Sequence, residues 1–212
     1  ARRWVAGHVV APFADVLRRP GWAGILLFIV LYKFGDAIAG VMANPFFIAL
    51  GFSLSTIASI TKLFGVAATL AGVVAGGVLV ARAGIFHALV VCGVLQMASN
   101  LMFAVQAVAG ADAWLLTATI AIENLSGGMG TAAFVAYLSR LCSFEFTATQ
   151  YALFSSLAAV GRTLLSSGGG WLADRLDWVW FFVASAGCAL PGLIVLVFWL
   201  RREIEATGEE AS

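Results

Sequence analysis

Long apolar stretches separated by short polar breaks fill most of the chain. A helix needs roughly 20 apolar residues to cross a bilayer core, and six stretches have about that length. They lie at 22–43, 55–80, 86–109, 114–138, 149–171 and 178–200, with breaks at 51–53, 83–84, 110–112, 141–146 and 174–177. Because the connections are short, we predict that consecutive helices pack antiparallel.

The composition indicates that these helices lie in lipid. Of the 212 residues, 62% are hydrophobic and 11% are charged, whereas soluble domains carry about a quarter charged residues. The net charge of +1 is too small for a surface that binds nucleic acid, so no nucleic-acid partner is expected. We predict an all-α membrane protein with six transmembrane helices, in which Cys92, Cys142 and Cys188 are packed free thiols.

Basic residues are distributed unevenly between the two sides that alternate breaks define. One side holds only Arg175. The other side holds eight arginines: Arg2, Arg3, Arg18, Arg19, Arg82, Arg140, Arg201 and Arg202. Because positive charge accumulates on the cytoplasmic side, both termini are predicted to be cytoplasmic.

The same pattern divides the chain into three parts. Residues 1–20 are predicted to be a cytoplasmic linker, in which apolar residues at helical spacing indicate an interfacial helix. Residues 21–200 are predicted to form the transmembrane bundle, and residues 201–212 a cytoplasmic tail. A plain connector from an earlier part of a longer chain is a compatible interpretation of the linker. The chain begins with Ala1 and not with Met, which suggests a fragment.

A short motif occurs twice along the chain. Gly, Leu and Arg at Gly77, Leu79 and Arg82 recur at an offset of 93 residues, ending at Arg175. Within a six-helix unit this offset relates helices 1–3 to helices 4–6, and because three is odd the second triplet is inverted across the membrane. The sequence therefore predicts a 3+3 inverted repeat, which is typical of transporters.

The first copy of this motif, from Gly77 through Arg82 to Gly84, resembles the cytoplasmic gate loop of the major facilitator superfamily. In that motif, glycine lets two helices approach and an Asp-Arg pair stabilises the closed gate. Ala81 stands here in place of the Asp.

Four further segments resemble the AmpG-type muropeptide permeases of the same superfamily: 32–36, 123–136, 146–154 and 159–162. The resemblance runs from about residue 12 to residue 200. It implies half of a major facilitator bundle, namely the C-terminal half of a proton-coupled permease that imports anhydromuropeptides across the bacterial inner membrane for peptidoglycan recycling. It also implies an N-terminal half that this sequence lacks. The alternatives are an acetyl-CoA transporter-like permease and a non-transporting membrane scaffold or sensor.

Two ionisable residues lie near the middle of the first stretch. Lys33 and Asp36 are three residues apart, so they share one helical face. Each costs on the order of 3 kcal/mol at the bilayer centre, so the two must pair or face water. We interpret them as residues that line a cavity, with a structural pair that fixes helix packing as the alternative.

The fourth and fifth stretches contain the other candidate residues of a substrate and proton pathway. Glu123 is expected to be a protonatable carboxyl or a hydrogen-bonding partner of the ligand, together with its neighbour Asn124. The glycines that follow, at 127, 128 and 130, fit either an exposed backbone or a tight helix crossing. Arg162 presents a planar fork that suits a carboxylate of the substrate, or else it pairs with Glu123 or Asp36.

The remaining polar residues indicate ordinary structural roles. Lys62 lies close to a span end, where its long side chain can reach the headgroups. Thr149 and Gln150 begin the fifth stretch and are expected to be capping or surface groups. His8 and His87 accompany neither a nucleophile nor metal-ligand spacing, so we predict neither an enzyme, nor a metal site, nor a cofactor.

Overall fold

The computed structural model describes residues 11–19 and 21–200, and these residues form helices and turns with no strand. The α-helices are α1 (Ala11–Arg18), α2 (Trp22–Leu31), α3 (Phe34–Ala49), α4 (Leu54–Ile60), α5 (Val66–Ala109), α6 (Ala113–Leu141), α7 (Thr147–Ser166), α8 (Gly169–Ala173), α9 (Trp178–Gly187) and α10 (Leu190–Val195). Five-residue π-helical turns follow α4 at Thr61–Gly65 and α10 at Leu196–Leu200, and a 3₁₀ turn precedes α7 at Phe144–Phe146. The predicted all-α class is confirmed.

A helix ends or is interrupted at each of the predicted breaks, and further interruptions occur inside the predicted stretches, as at Tyr32 and Lys33. Gly84 interrupts α5 with φ of 80° and ψ of 164°, a conformation that residues with a Cβ rarely adopt. The break therefore divides α5 into arms at 66–83 and 85–109. Side chains of Ser53, Asp112 and Asp177 accept hydrogen bonds from backbone amides in the first turns of α4, α6 and α9, respectively.

Three helical stretches in the described part of the chain are long and apolar enough to cross a membrane: Trp22–Ala49, Leu54–Ala109 and Trp178–Leu200. The second has 56 residues and contains the Gly84 break. Large apolar side chains such as Leu70, Val74 and Phe198 are exposed along these stretches, as expected for helices whose solvent is lipid.

Glycines let α5 and α6 pack with their backbones in contact. A Cβ added at Gly72 or at Gly76 would collide with the backbone of α6, at Leu125 and Met129 respectively. A Cβ at Gly128 would collide with the backbone of α5. This is the small-residue contact of membrane helices, which brings the two helices together along most of their length.

Two apolar clusters fill the interior, and they lie on either side of Lys33 and Asp36 in the sequence of α2 and α3. One cluster contains Phe28 of α2 and packs it against α6 and α7. The other contains Phe46 of α3, which makes edge-to-face contacts with rings of α5 and α9. Lys33 and Asp36 thus lie between two apolar clusters.

Helix α1 packs Val16 into the first apolar cluster and is hydrogen-bonded to the bundle through a buried glutamine. Gln150, at the start of α7, is fully buried, and its amide donates to Asp15 Oδ2 at 2.7 Å and to the Pro12 carbonyl at 3.3 Å. Its Oε1 accepts from the Ser143 amide at 2.7 Å and from Arg19 at 3.3 Å. The expectation that Gln150 is a capping or surface group misses this role, because the partner helix lies 131 to 138 residues away.

Arg19 completes this attachment. It donates to Asp15 Oδ2 at 2.6 Å and to the Leu141 carbonyl at the end of α6. The hydrogen bond from Arg19, assisted by the one from Gln150, lowers the pKa of Asp15 from its ordinary value of 3.8, so this carboxylate stays ionised at neutral pH. Among the positions used for the charge and domain predictions, Arg2, Arg3, Arg201, Arg202, His8 and the tail lie outside the described residues.

Candidate functional site

A cavity of about 450 Å³ lies between α3, α5, α6 and α7. It is lined by all five residues that the sequence assigns to a substrate or proton pathway: Lys33, Asp36, Glu123, Asn124 and Arg162. The structure therefore brings together residues that are up to 129 positions apart in the chain.

Lys33 and Asp36 are both paired and exposed to the cavity. The chain is interrupted between α2 and α3 at Tyr32 and Lys33, which places Asp36 in the first turn of α3. Lys33 Nζ lies 3.5 Å from Asp36 Oδ2, and 21% and 22% of the two side chains are exposed. Lys33 also donates to the Gly127 carbonyl and to Thr131 Oγ1, both at 3.3 Å. The cavity-lining interpretation and the structural-pair interpretation are therefore compatible, because one ion pair can both fix helix packing and line a cavity.

Glu123 and Asn124 form a polar array with α5. Asn124 Nδ2 donates to Glu123 Oε2 at 2.9 Å and to the Ile120 carbonyl at 2.8 Å. Asn124 Oδ1 accepts from Thr69 Oγ1 at 3.0 Å. Glu123 accepts no hydrogen bond from a cation in the described part of the chain, so its carboxylate has capacity for a proton or a ligand donor.

The glycines after Asn124 differ in role, although the sequence treats them alike. Nothing lies within 4 Å of a Cβ added at Gly127, whose backbone faces the cavity. A Cβ at Gly128 would meet the backbone of α5, and one at Gly130 would collide with the side-chain amide of Gln96. The exposed-backbone interpretation fits Gly127, and close packing accounts for Gly128 and Gly130.

Arg162 is exposed and lines the cavity from α7. Within residues 11–19 and 21–200 it makes no ion pair and donates no hydrogen bond. The predicted alternative, a pair with Glu123 or with Asp36, is therefore not formed in this conformation. An arginine keeps its charge under all physiological conditions, so the cavity contains one cation that no side chain among the described residues contacts as a salt-bridge partner.

The predicted gate-loop residues lie apart from the cavity. Gly77 and Arg82 are exposed near the end of the first arm of α5, and Gly84 forms the break that follows. Arg175, in the second copy of the motif, lies 4.4 Å from the centroid of the Trp171 ring. Lys62 is exposed in the π-helical turn after α4, outside the cavity.

Reasoning from the sequence missed several polar residues of the site. Thr69, Thr131, Tyr151 and Ser155 line the cavity, and Gln96 lies behind it and donates to Asp36. A signal was present in α7, where Tyr151, Ser155 and Arg162 share one helical face at spacings of four and seven. These side chains are neutral, so a charge inside an apolar stretch does not mark them.

Chemically, the cavity combines one unpaired cation, one paired cation and two carboxylates with a less polar wall. Phe134, Val135, Leu138 and Tyr151 form that wall on α6 and α7. Such a lining suits an amphipathic anionic molecule, because Arg162 can bind a carboxylate bidentately while the apolar wall contacts uncharged parts. The described residues contain no group of three His, Cys, Asp or Glu side chains that could hold a metal ion.

Comparison with known proteins gives consistent matches along the chain. The model of the Major Facilitator Superfamily matches residues 12–212. The Anhydromuropeptide permease of Escherichia coli is 41% identical over 200 residues, which cover 94% of this chain and 40% of the permease. The proteins named AmpG 4 of Rickettsia felis and AmpG 3 of Rickettsia prowazekii are 36% and 39% identical, with 90% and 76% of this chain covered. The chain spans 38% to 46% of the length of these relatives.

Proposed function

The chain belongs to the Major Facilitator Superfamily, as its AmpG-type motifs predict, and on that basis we propose its function. The chain is the C-terminal half of a proton-coupled permease that imports anhydromuropeptides across the bacterial inner membrane for peptidoglycan recycling. Its partners are the muropeptide, protons, membrane lipids and an N-terminal transporter half. The multi-pass membrane location follows from the apolar helices and from the permease relatives.

In this proposal residues 21–200 cross the membrane six times. The helical stretch Leu54–Ala109 has 56 residues, about 84 Å of helix at 1.5 Å per residue. That is more than twice the roughly 30 Å of a hydrocarbon core, so the Gly84 break separates two crossings. Trp22–Ala49, α6, the pair α7 and α8, and Trp178–Leu200 supply the other four. The recurrence of the Gly77 motif at Gly170 supports the 3+3 inverted repeat.

Both termini are assigned to the cytoplasm. The hydrogen bond from Arg19 to the Leu141 carbonyl brings Arg19 and the end of α6 to one side of the bundle. Arg140 lies next to that carbonyl. The breaks at 51–53, 110–112 and 174–177 alternate along the chain with the breaks on this side, so they are assigned to the opposite side. The contact thus supports the grouping of arginines on which the orientation rests. On this side, Gly77, Arg82 and Gly84 form the gate loop.

The single observation that carries the proposal is the unpaired Arg162 in the cavity. A cation costs several kcal/mol at membrane depth unless water or a counter-ion compensates it. Asp36 is already bonded to Lys33 and Gln96, so the counter-ion for Arg162 is free to come from the ligand. A muropeptide carries carboxylates on its peptide. We assign Arg162 as their anchor, with Asn124 as a further hydrogen-bonding group.

Glu123 is assigned as the carboxyl that carries the coupled proton. It lines the cavity, where either side of the membrane could supply a proton, and its only hydrogen-bond donor among the described residues is the uncharged amide of Asn124. Both protonation states can therefore be accommodated without breaking an ion pair. Lys33 and Asp36 remain charged beside it and line the pathway.

The test is the affinity for a labelled anhydromuropeptide, measured on the chain assembled with an N-terminal half. Arg162→Ala removes a charge-assisted contact, worth about 1.5–3 kcal/mol, and should weaken binding roughly 10- to 100-fold. Arg162→Lys keeps the charge without the bidentate fork, so its affinity should lie between those of the unchanged protein and Arg162→Ala. Lys62→Ala, which removes an exposed cation outside the cavity, is the matched control. Equal affinities for Arg162→Ala and Lys62→Ala would refute the anchor, and no binding by any form would favour a scaffold.

A further inference from the structure

Gln96 is a polar side chain buried at a depth where amides are rare. It lies in the second arm of α5, and 2% of it is exposed. Its Nε2 donates to Asp36 Oδ2 at 2.8 Å, and the same oxygen lies 3.5 Å from Lys33 Nζ. Asp36 Oδ2 therefore faces two groups. The ammonium group of Lys33 lies on the cavity side, and the amide of Gln96 approaches from outside the cavity.

The position of Gln96 depends on a glycine of another helix. A Cβ added at Gly130 would lie less than 3 Å from three atoms of the Gln96 amide group, closer than real Cβ contacts come. Gly130 is buried in α6 and has no positive φ, so its backbone conformation does not require glycine. The amide group of Gln96 occupies the space that a side chain at this position would take, so one of the two would have to shift.

Helices α5 and α6 are also held in register beside this contact. Ser126 Oγ on α6 hydrogen-bonds Ser99 Oγ on α5 at 2.9 Å, and Ser99 Oγ in turn donates to the Gln96 carbonyl at 2.9 Å. The backbone that carries Gln96 is thus fixed relative to Gly130. From this backbone the Gln96 amide extends to Asp36.

We propose that Gln96 is a positioning residue whose side-chain amide holds the Asp36 carboxylate against Lys33. The amide has room to do so because Gly130 has no side chain. The inference rests on the proposed function, since its consequence concerns the muropeptide. With Lys33 paired, Arg162 is the cation that remains for the carboxylates of the ligand. Without Gln96, Asp36 can rotate away, and Lys33 becomes a second, competing anchor.

Binding of a labelled anhydromuropeptide to the chain assembled with its N-terminal half tests this consequence. Gln96→Leu should tighten binding, about threefold or more, because an additional unbalanced cation attracts an anionic ligand. Structural damage would weaken binding instead. Turnover should fall while the affinity rises, because the ligand then has two competing anchors. Asp36→Asn should show the same pair of changes, and Gln96→Leu should add nothing to it.

The matched control is Gln106→Leu, which removes a second fully buried amide of the same helix arm. Gln106 Nε2 bonds the carbonyls of Gly110 and Asp112 and does not line the cavity. This variant should leave the affinity unchanged. An unchanged or weakened affinity in folded Gln96→Leu, or a full effect of Gln96→Leu in the Asp36→Asn background, would overturn the proposal.

A stability measurement separates failure of this inference from failure of the proposed function, because it needs no ligand. Gly130→Ala should lower Tm in the otherwise unchanged protein, and Gln96→Ala should relieve most of that loss by vacating the space. Gly128→Ala, whose Cβ meets the backbone of α5, is the control whose loss Gln96→Ala should not relieve. If Gly130→Ala lowers Tm equally in both backgrounds, Gln96 is not seated by Gly130 and the inference is wrong, whatever the protein binds.

Discussion

Arg162 and Glu123 line one cavity, and they differ in what compensates their charge. Arg162 has no acidic partner within the described residues, whereas Glu123 accepts a hydrogen bond from the uncharged amide of Asn124. A residue that must change its charge is best placed beside a neutral donor. A residue that keeps its charge can receive its counter-ion from the ligand. The proposed division into proton carrier and anchor follows from this difference.

Replacing Glu123 by Gln tests the first of these roles. The substitution preserves shape and imitates the protonated carboxyl, so ligand exchange across the membrane should stay within about twofold of the unchanged protein. Accumulation driven by a pH gradient should disappear, because no carboxyl remains to release the proton. The two rates are measured with the same vesicles. Full accumulation by Glu123→Gln would exclude Glu123 as the coupling carboxyl and make Asp36 the next candidate.

Single residues show clearly what the sequence could and could not predict. Lys33, Asp36, Glu123 and Arg162 were predictable, because a charge in an apolar stretch needs a reason. That Arg162 would pair with neither acid was not predictable, since the choice depends on distances between helices far apart in the chain. The role of Gln96 does not follow from a rule based on charge, although an amide buried in the bundle also needs a hydrogen-bond partner.

Among the helix breaks, those that depend on the backbone conformation of a local residue follow from the sequence. Breaks that depend on packing between helices do not. The break at Gly84 requires a positive φ, which glycine supplies. The interruption at Tyr32 and Lys33 has neither glycine nor proline at those positions, and α3 continues through Pro45. Packing of neighbouring helices decides such cases. The same limit explains the Gln150 contact with α1, since no local pattern reports a partner more than 130 residues away.

The attachment of α1 gives a prediction at this scale. Gln150→Leu removes the amide that bonds Asp15 and the Pro12 carbonyl, so α1 should open more often. At roughly 1 kcal/mol for each lost hydrogen bond, backbone amides of α1 should exchange with deuterium about tenfold or more faster. Mass spectrometry of peptides covering 11–18 measures this, with α9 as the internal reference.

Gln106→Leu is the matched control for this exchange experiment, because Gln106 is equally buried but bonds the turn before α6. The experiment belongs at neutral pH. Since the pKa of Asp15 is lowered in the folded protein, its contribution is complete above the ordinary value of 3.8 and is lost as the pH falls through the lower folded value. Unchanged exchange in α1 of Gln150→Leu would mean that Gln150 does not hold this helix.

For the whole molecule, the charge distribution predicts which side of the membrane each turn faces. Single cysteines at Gly51 and Ala111, in a background without Cys92, Cys142 and Cys188, should react with an impermeant thiol reagent added outside. A cysteine at Ala83 should not react until the membrane is permeabilised. All three positions are exposed, so access to the residue itself does not limit labelling. The reverse pattern would invert the topology and remove the basis for a cytoplasmic gate loop.

We propose that this chain forms one wall of a proton-driven muropeptide pathway. It is tested most directly by uptake of a labelled anhydromuropeptide into proteoliposomes under an imposed pH gradient, with and without an N-terminal half. The chain alone should insert without taking up the ligand, because one side of the cavity then faces lipid. With the N-terminal half, the ligand should accumulate above its external concentration and leak out when the gradient is collapsed. Saturable uptake by the monomeric chain alone, or no gradient-dependent uptake by the assembled halves, would contradict the account.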